Sequence, residues 1–159
     1  MEYSMKEIID IAVGIEENGH RFYSDFSKKF SNESIRELFL MLADEELGHK
    51  KFFKSMVSGL EGAPGIYSEE YFLYLKAIGG DRIFDSKKIP GEMEGINTPL
   101  DAIDMAFRDE KQSIFFYTEL SSAYKNNSEI LYNIEKIIEE ERKHVMLLLD
   151  LSEKLRISS

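Results

Sequence analysis

Two motifs of the form Glu-x-x-His occur in the sequence, and each follows a lone glutamate on the preceding predicted helix. The lone glutamates are Glu16 and Glu110, and the motifs pair Glu46 with His49 and Glu141 with His144. The lone glutamate and the glutamate of its motif are 30 residues apart in the first half of the chain and 31 apart in the second. Mixed carboxylate and imidazole ligands suit iron or manganese, and zinc can also be accommodated. The pattern therefore predicts a metal centre built from two similar halves.

The residues that follow the lone glutamates repeat as well. A small residue stands three positions on, and a Phe-Tyr pair stands six and seven positions on: Gly19, Phe22 and Tyr23 in one half, Ser113, Phe116 and Tyr117 in the other. A single Glu-x-x-His arises by chance on exposed helices, but an internal repeat multiplies weak signals. The two tyrosines are either ordinary core aromatics or donors that orient ligand carboxylates, and we favour the second interpretation.

Helical periodicity indicates that the six residues face a protein core. Apolar residues continue the same helical phase on both sides of each motif, as Leu42 and Phe53 do in one half and Ile137 and Leu148 in the other. Four buried, unpaired carboxylates would cost more than the net stability of a small domain, roughly 5–15 kcal/mol. No lysine or arginine shares the core phase at that level. Two divalent cations would balance the four negative charges.

Four long helices and one short helix are predicted to position these residues. The long helices are expected at about 4–29, 32–58, 98–125 and 128–156, with Ser31 or Asn32 capping the second. A crossover over 60–97 should contain a short helix at about 68–78. Short loops within each pair imply antiparallel neighbours. The predicted fold is an all-α four-helix bundle, two antiparallel pairs joined by a long crossover, in a single domain of residues 1–159.

Composition excludes several classes of function. The chain of 159 residues carries 30 acidic against 20 basic residues and no cysteine. The acidic balance argues against nucleic acid and anionic membrane surfaces as partners. The absence of cysteine excludes disulfides, thiolate metal sites and iron–sulfur clusters. No apolar run is long enough to span a membrane, and a cytoplasmic location is expected.

Taken together, these motifs resemble the rubrerythrin-like branch of the ferritin-like di-iron carboxylate superfamily over nearly the whole chain. The resemblance implies that Glu46 and Glu141 bridge two iron ions. It also implies that each ion has one terminal glutamate and one histidine, from the set Glu16, Glu110, His49 and His144. Two features depart from rubrerythrin itself. Ser113 occupies the position of an additional glutamate ligand, and the cysteine-rich rubredoxin module is missing. An electron donor should therefore be a separate protein.

The function expected from this resemblance is an oxidoreductase that reacts with peroxide or dioxygen and draws electrons from an external donor. Alternatives are an iron-binding, ferroxidase or storage protein, and a helical module with a structural di-metal site. A homodimer is expected, with the apolar segment 71–74 at the contact. His20, one turn after Glu16, is interpreted as a residue beside the ligands rather than a ligand. Four further glutamates are interpreted as solvated surface charges: Glu17, Glu45, Glu139 and Glu140.

Overall fold

The computed structural model describes residues 5–58, 68–79 and 94–158. Every regular element in these ranges is a helix: α1 (Met5–Lys29), α2 (Glu33–Val57), α3 (Glu69–Gly79), α4 (Pro99–Ala123) and α5 (Ser128–Ile157). The prediction of an all-α chain is confirmed. The helix ends differ from the predicted ones by at most two residues. Residue 4 and most of the predicted crossover lie outside the described residues.

Three of the long helices begin at side chains that satisfy their first backbone N–H groups. The side chain of Asn32, rather than Ser31, accepts a hydrogen bond from the Ile35 amide at the start of α2. Asn127 does the same for α5. At α4, Thr98 and Asp101 form a reciprocal capping box, with a proline in the first turn. These caps fix where each helix starts and hence which residues face the core.

The helices pack mainly as two pairs, α1 along α2 and α4 along α5. The short helix α3 lies against α1 and α4, so it covers the side of the bundle between the first helices of the two pairs. Its last residue, Gly79, packs on the ring of Phe116, where an added Cβ would lie 2.4 Å from a ring carbon. Glycine is therefore the residue that permits this close approach.

Aromatic side chains fill the core around the midpoint of the bundle. Tyr23 packs edge-on against Phe39 with ring centroids 5.2 Å apart, and Tyr117 stacks on Phe53 at 5.1 Å. All four rings are fully buried. Because aromatic rings bury large apolar areas, this layer keeps water from the polar residues between the helices. Within the described ranges, no helix combines the length and the hydropathy of a bilayer-spanning segment.

Candidate metal centre

The structure brings all six predicted ligand side chains together in the bundle interior. The four carboxylates are at most 1% exposed, and the two imidazoles at most 5%. One glutamate comes from α1, one from α4, and a glutamate–histidine pair from each of α2 and α5. The core phase of each helix thus places six polar side chains from four helices at one level. Their role as metal ligands stays a prediction.

The six side chains form two overlapping groups, each able to surround one ion. Within each group, one potential ligand atom per residue lies within 4.8 Å of the others. The first group is Glu16, Glu46, His49 and Glu141, and the second is Glu46, Glu110, Glu141 and His144. Glu46 and Glu141 belong to both groups. The geometry therefore gives each position its own glutamate and histidine plus two shared carboxylates, the arrangement in which carboxylates bridge two metals.

Several atoms of this cluster have no hydrogen-bond partner although they are buried. They are one oxygen each of Glu16, Glu46, Glu110 and Glu141, and Nδ1 of His144. Outside the cluster, the Tyr124 hydroxyl is the one other such atom in the described part of the chain. His144 Nδ1 lies only 2.9 Å from Glu141 Oε2, so the atoms are close without being aligned for hydrogen bonding. Unsatisfied buried oxygen and nitrogen atoms that converge in this way fit metal coordination.

The pKa values of the buried carboxyl groups shift in opposite directions, depending on whether neighbouring carboxylates or histidines dominate. Burial raises the pKa of Glu46 well above its usual value, and the neighbouring carboxylates raise it further. Burial and Glu141 do the same to the pKa of Glu110. Burial also acts to raise the pKa of Glu141, but the hydrogen bond from His49 and the close contact with His144 outweigh burial and lower that pKa. Glu141 therefore stays ionised more readily than Glu46 or Glu110.

The histidines respond to the surrounding negative charge. Burial acts to lower the pKa of His49, but the hydrogen bond to Glu141 and the nearby Glu16 carboxylate overcome burial and raise the pKa to about 12. The pKa of His144 is raised in the same way, against burial, by Glu110, Glu141 and further carboxylates. Protons held by these groups partly neutralise the cluster. Bound cations would displace those protons and take over the neutralisation.

Two buried tyrosines cross-link the halves of the centre. Tyr23 on α1 donates a hydrogen bond to Glu110 Oε1 on α4 at 2.5 Å, and Tyr117 on α4 donates to Glu16 on α1. Burial, followed by the nearby glutamates, raises both phenol pKa values well above the usual range, so both hydroxyls keep their protons. Both hydroxyls thus contact carboxylates of predicted ligands, as the interpretation favoured in the sequence analysis expects. Each lone glutamate is thereby oriented by a tyrosine from the opposite helix pair.

Two glutamates outside the six-residue set have a contact that the sequence interpretation missed. Glu45 and Glu140 are partly exposed to solvent, as expected for surface charges, but each also accepts a hydrogen bond from a buried histidine. Glu45 Oε2 lies 2.6 Å from His144 Nε2, and Glu140 Oε2 lies 2.7 Å from His49 Nε2. The available signal was the acidic doublet that opens both motifs, Glu45–Glu46 and Glu140–Glu141. Core phase alone could not identify residues that reach the centre from its edge.

Gly19 provides the space that Glu46 occupies. A Cβ at this position would lie 2.8 Å from Glu46 Oε2, closer than side chains ordinarily approach. The equivalent residue of the other half, Ser113, is buried and donates to the Asp109 carbonyl at 3.1 Å, within its own helix. The small residues of the repeat therefore serve different purposes in the two halves.

His20 belongs to neither four-residue group. Its Nδ1 lies 2.7 Å from the Ala43 carbonyl oxygen, and because a carbonyl only accepts, Nδ1 carries the proton and donates. This hydrogen bond ties α1 to α2 beside the centre. The expectation that His20 neighbours the ligands without being one agrees with this contact.

A cavity of about 340 Å³ opens between α2 and α5 and reaches the His49 side of the centre. Its polar lining includes Glu45, Glu140, Asn133 and Lys136 beside the histidine. Solvent and small molecules can therefore approach the edge of the centre without passing through the aromatic core.

Comparison with known proteins agrees with this architecture. The family model described as Rubrerythrin matches residues 7–83, which cover most of α1 and all of α2 and α3. A crystal structure from Thermotoga maritima, provisionally described as a ferritin-like diiron-carboxylate protein, superposes with a TM-score of 0.71 at 27% identity. The alignment covers 96% of this chain and 97% of that one. No curated protein matches the chain. The predicted ferritin-like bundle is confirmed by this likeness.

Proposed function

We propose that this chain, a rubrerythrin-like member of the ferritin-like superfamily, is a di-iron oxidoreductase that reduces peroxide or dioxygen with electrons from a separate donor protein. The observation that carries the proposal is the pair of four-residue groups sharing Glu46 and Glu141. Two shared carboxylates would hold two metal ions side by side, and two ferrous ions can supply the two electrons that reduction of one peroxide consumes. The family match and the di-iron description of the Thermotoga protein support iron as the metal.

Iron bound in this carboxylate-rich set would supply and recover the electrons, because anionic oxygen ligands stabilise its higher oxidation state. Reduction of one hydrogen peroxide molecule to two water molecules consumes two electrons and two protons. The electrons must come from outside the chain, since it contains no cysteine and hence no iron–sulfur or thiol donor of its own.

The residues of the chain have separable tasks in such a reaction. Tyr23 and Tyr117 hold the terminal glutamates in fixed orientations through their hydroxyls. The aromatic layer around Phe39 and Phe53 excludes water from the core side. The cavity beside His49 gives peroxide or dioxygen a route from solvent to one edge of the centre. Access is thereby limited to small molecules.

The deciding experiment is anaerobic loading with ferrous iron, removal of excess iron, elemental analysis and then titration with hydrogen peroxide. We expect about two iron ions per chain and complete oxidation of the centre by one peroxide per pair. Glu141→Ala should bind little iron and give no titration. Glu139→Ala, which removes an exposed charge two residues away, should behave as wild type.

Other outcomes would overturn the proposal in distinct ways. Tens to hundreds of iron ions per chain, held in a large assembly, would indicate storage. Two ions that peroxide and dioxygen fail to oxidise would indicate a structural di-metal site. A chain that binds no iron, manganese or zinc would show that the cluster has lost its metals.

A further inference from the structure

The two histidines of the centre each contact a carboxylate that lies outside the six predicted ligands. Glu45 on α2 accepts from His144 on α5 at 2.6 Å, and Glu140 on α5 accepts from His49 on α2 at 2.7 Å. Each contact therefore joins one helix pair to the other. Both carboxylates directly precede a shared glutamate in the sequence. In each doublet, the first glutamate reaches across the edge of the centre to a histidine, and the second points into the centre.

The two nitrogens of each imidazole face different surroundings. Nδ1 of His49 lies 3.0 Å from Glu141 Oε1, and Nδ1 of His144 lies 2.9 Å from Glu141 Oε2, inside the cluster. Nε2 of each ring faces the outer carboxylate. An ionised carboxylate only accepts hydrogen bonds, so Nε2 must carry a proton. Nδ1 faces the cluster carboxylates, and in His49 it also donates a hydrogen bond, to Glu141 Oε1. A bound ion would displace the Nδ1 proton and leave the Nδ1 lone pair as the ligand.

We propose that Glu45 and Glu140 are positioning residues that orient the rings of His144 and His49 and keep the proton on Nε2, so that Nδ1 faces the metal. This inference rests on the two-metal centre of the proposed function. Its specific content is the crossed pairing. Glu45, in the first half of the chain, controls the metal position that contains Glu110 and His144. Glu140 controls the position that contains Glu16 and His49.

The surroundings of both carboxylates suit this role. Their side chains are 47% and 38% exposed, and both line the cavity between α2 and α5. Solvent hydrates both carboxylates while the histidines remain buried. Hydrogen bonds to an ionised acceptor are stronger and more directional than those between neutral groups. Lys136, the cation that lines the same cavity, adds a positive charge nearby.

The test uses the full chain loaded with zinc, which is diamagnetic and accepts the same ligands. Four variants are compared with wild type: Glu45→Ala, Glu140→Ala, Glu45→Gln and Glu140→Gln. Glutamine keeps an oxygen acceptor and removes the charge. Asp44→Ala and Glu139→Ala are the controls, because each removes an exposed acidic neighbour. Long-range ¹H–¹⁵N NMR of the rings reports which nitrogen is protonated and which binds metal, and chelator competition gives the affinity of each ion.

In wild type we expect both His49 and His144 to carry the proton on Nε2 and to bind zinc through Nδ1, with His20 as the opposite, Nδ1-protonated reference. Glu45→Ala should change the NMR signals of His144 alone. It should also lower the affinity for one of the two zinc ions by roughly 10- to 100-fold. Glu140→Ala should do the same through His49. The glutamine variants should recover most of the affinity, and the controls should match wild type.

Three results would overturn the inference. One is an alanine variant that lowers the melting temperature but leaves ring protonation and zinc affinity unchanged, which would indicate a purely structural contact. Another is an alanine variant that changes the NMR signals of the histidine it does not contact, or of both histidines equally. The third is wild type that binds no zinc. Failure of the peroxide reaction in a chain whose zinc centre shows the crossed pattern would reject the proposed reaction and leave this inference standing.

Discussion

The two halves of the molecule, α1 with α2 and α4 with α5, carry the same set of polar residues, but neither half uses that set for itself. Each half supplies a lone glutamate, a tyrosine, an acidic doublet and a histidine. Yet neither tyrosine and neither outer glutamate serves its own half. All four contacts cross to the opposite pair. The repeat thus describes two interlocking contributions to one centre rather than two separate sites.

The halves also differ in two respects that the repeat does not suggest. Gly19 makes room for a shared glutamate, whereas Ser113 bonds within its helix. Among the described residues that line the cavity beside the centre, His49 is present and His144 is not. The comparison teaches that the predicted ligands are symmetric while access and packing are not. Chemistry at the two proposed metal positions should therefore differ.

The largest effect should come from removing a glutamate that both positions share. Glu46→Ala or Glu141→Ala should reduce the metal content from about two ions per chain to nearly none. Glu16→Ala or Glu110→Ala, which removes a ligand of one position only, should leave about one ion. Elemental analysis after loading with ferrous iron measures this. Normal metal content in Glu141→Ala would show that the ligand assignment is wrong.

Metal uptake should depend strongly on pH, in the same direction in both halves. Glu46 and His49 in one half, and Glu110 and His144 in the other, have raised pKa values and hold protons that metal must displace. Affinity should therefore fall as the pH falls, roughly tenfold per pH unit for each proton displaced. Chelator competition between about pH 6 and pH 8 measures the slope. An affinity that does not change over this range would contradict the shifts.

A smaller effect should distinguish the two small residues of the repeat. Gly19→Ala should push the Glu46 carboxylate aside and weaken metal binding by about tenfold. The free energy of unfolding of the metal-free protein should change by less than about 1 kcal/mol, since alanine also favours the helix. Ser113→Ala should leave metal affinity unchanged. Equal effects of the two substitutions, measured by chelator competition and urea unfolding, would contradict this difference.

The smallest effects should be symmetric again. Asn32 and Asn127 cap the two helices that carry the Glu-x-x-His motifs, and each precedes its shared glutamate by the same distance in sequence. Asn32→Ala and Asn127→Ala should each lower the free energy of unfolding by about 1 kcal/mol. Thermal or urea unfolding measures both. A loss confined to one variant would show that the helices are not stabilised equivalently.

The sequence was sufficient to predict the bundle and the meeting of six side chains, because both follow from helical phase. Residues such as Glu141 and His144 continue an apolar series, so their direction is set once the helix forms. Helix ends were predictable to within two residues, since Asn32, Thr98 and Asn127 are side chains that cap. The apolar segment 71–74 proved to be half buried: Phe72 is buried, whereas Leu73 and Tyr74 are exposed.

The contacts between helix pairs could not be predicted, because they depend on how the pairs dock. Periodicity places Tyr23 on the inner face of α1 but does not say that its hydroxyl reaches Glu110. It places Glu45 and Glu140 off the core face, and that placement hid their contacts with the histidines. A charged side chain at a half-exposed helix position can turn toward solvent or toward a neighbouring helix, and the sequence alone does not determine which.

The crossed hydrogen bonds also have a consequence for the order of folding. They join residues 87 to 101 positions apart, whereas the contacts within each pair span a short loop. Local pairing has the smaller loop-closure entropy, so we expect it to come first. The carboxylates then remain hydrated until the pairs dock. Each metal ion bound after docking would join three helices, and the two ions together would join all four. Metal binding should therefore slow unfolding while leaving the refolding rate nearly unchanged.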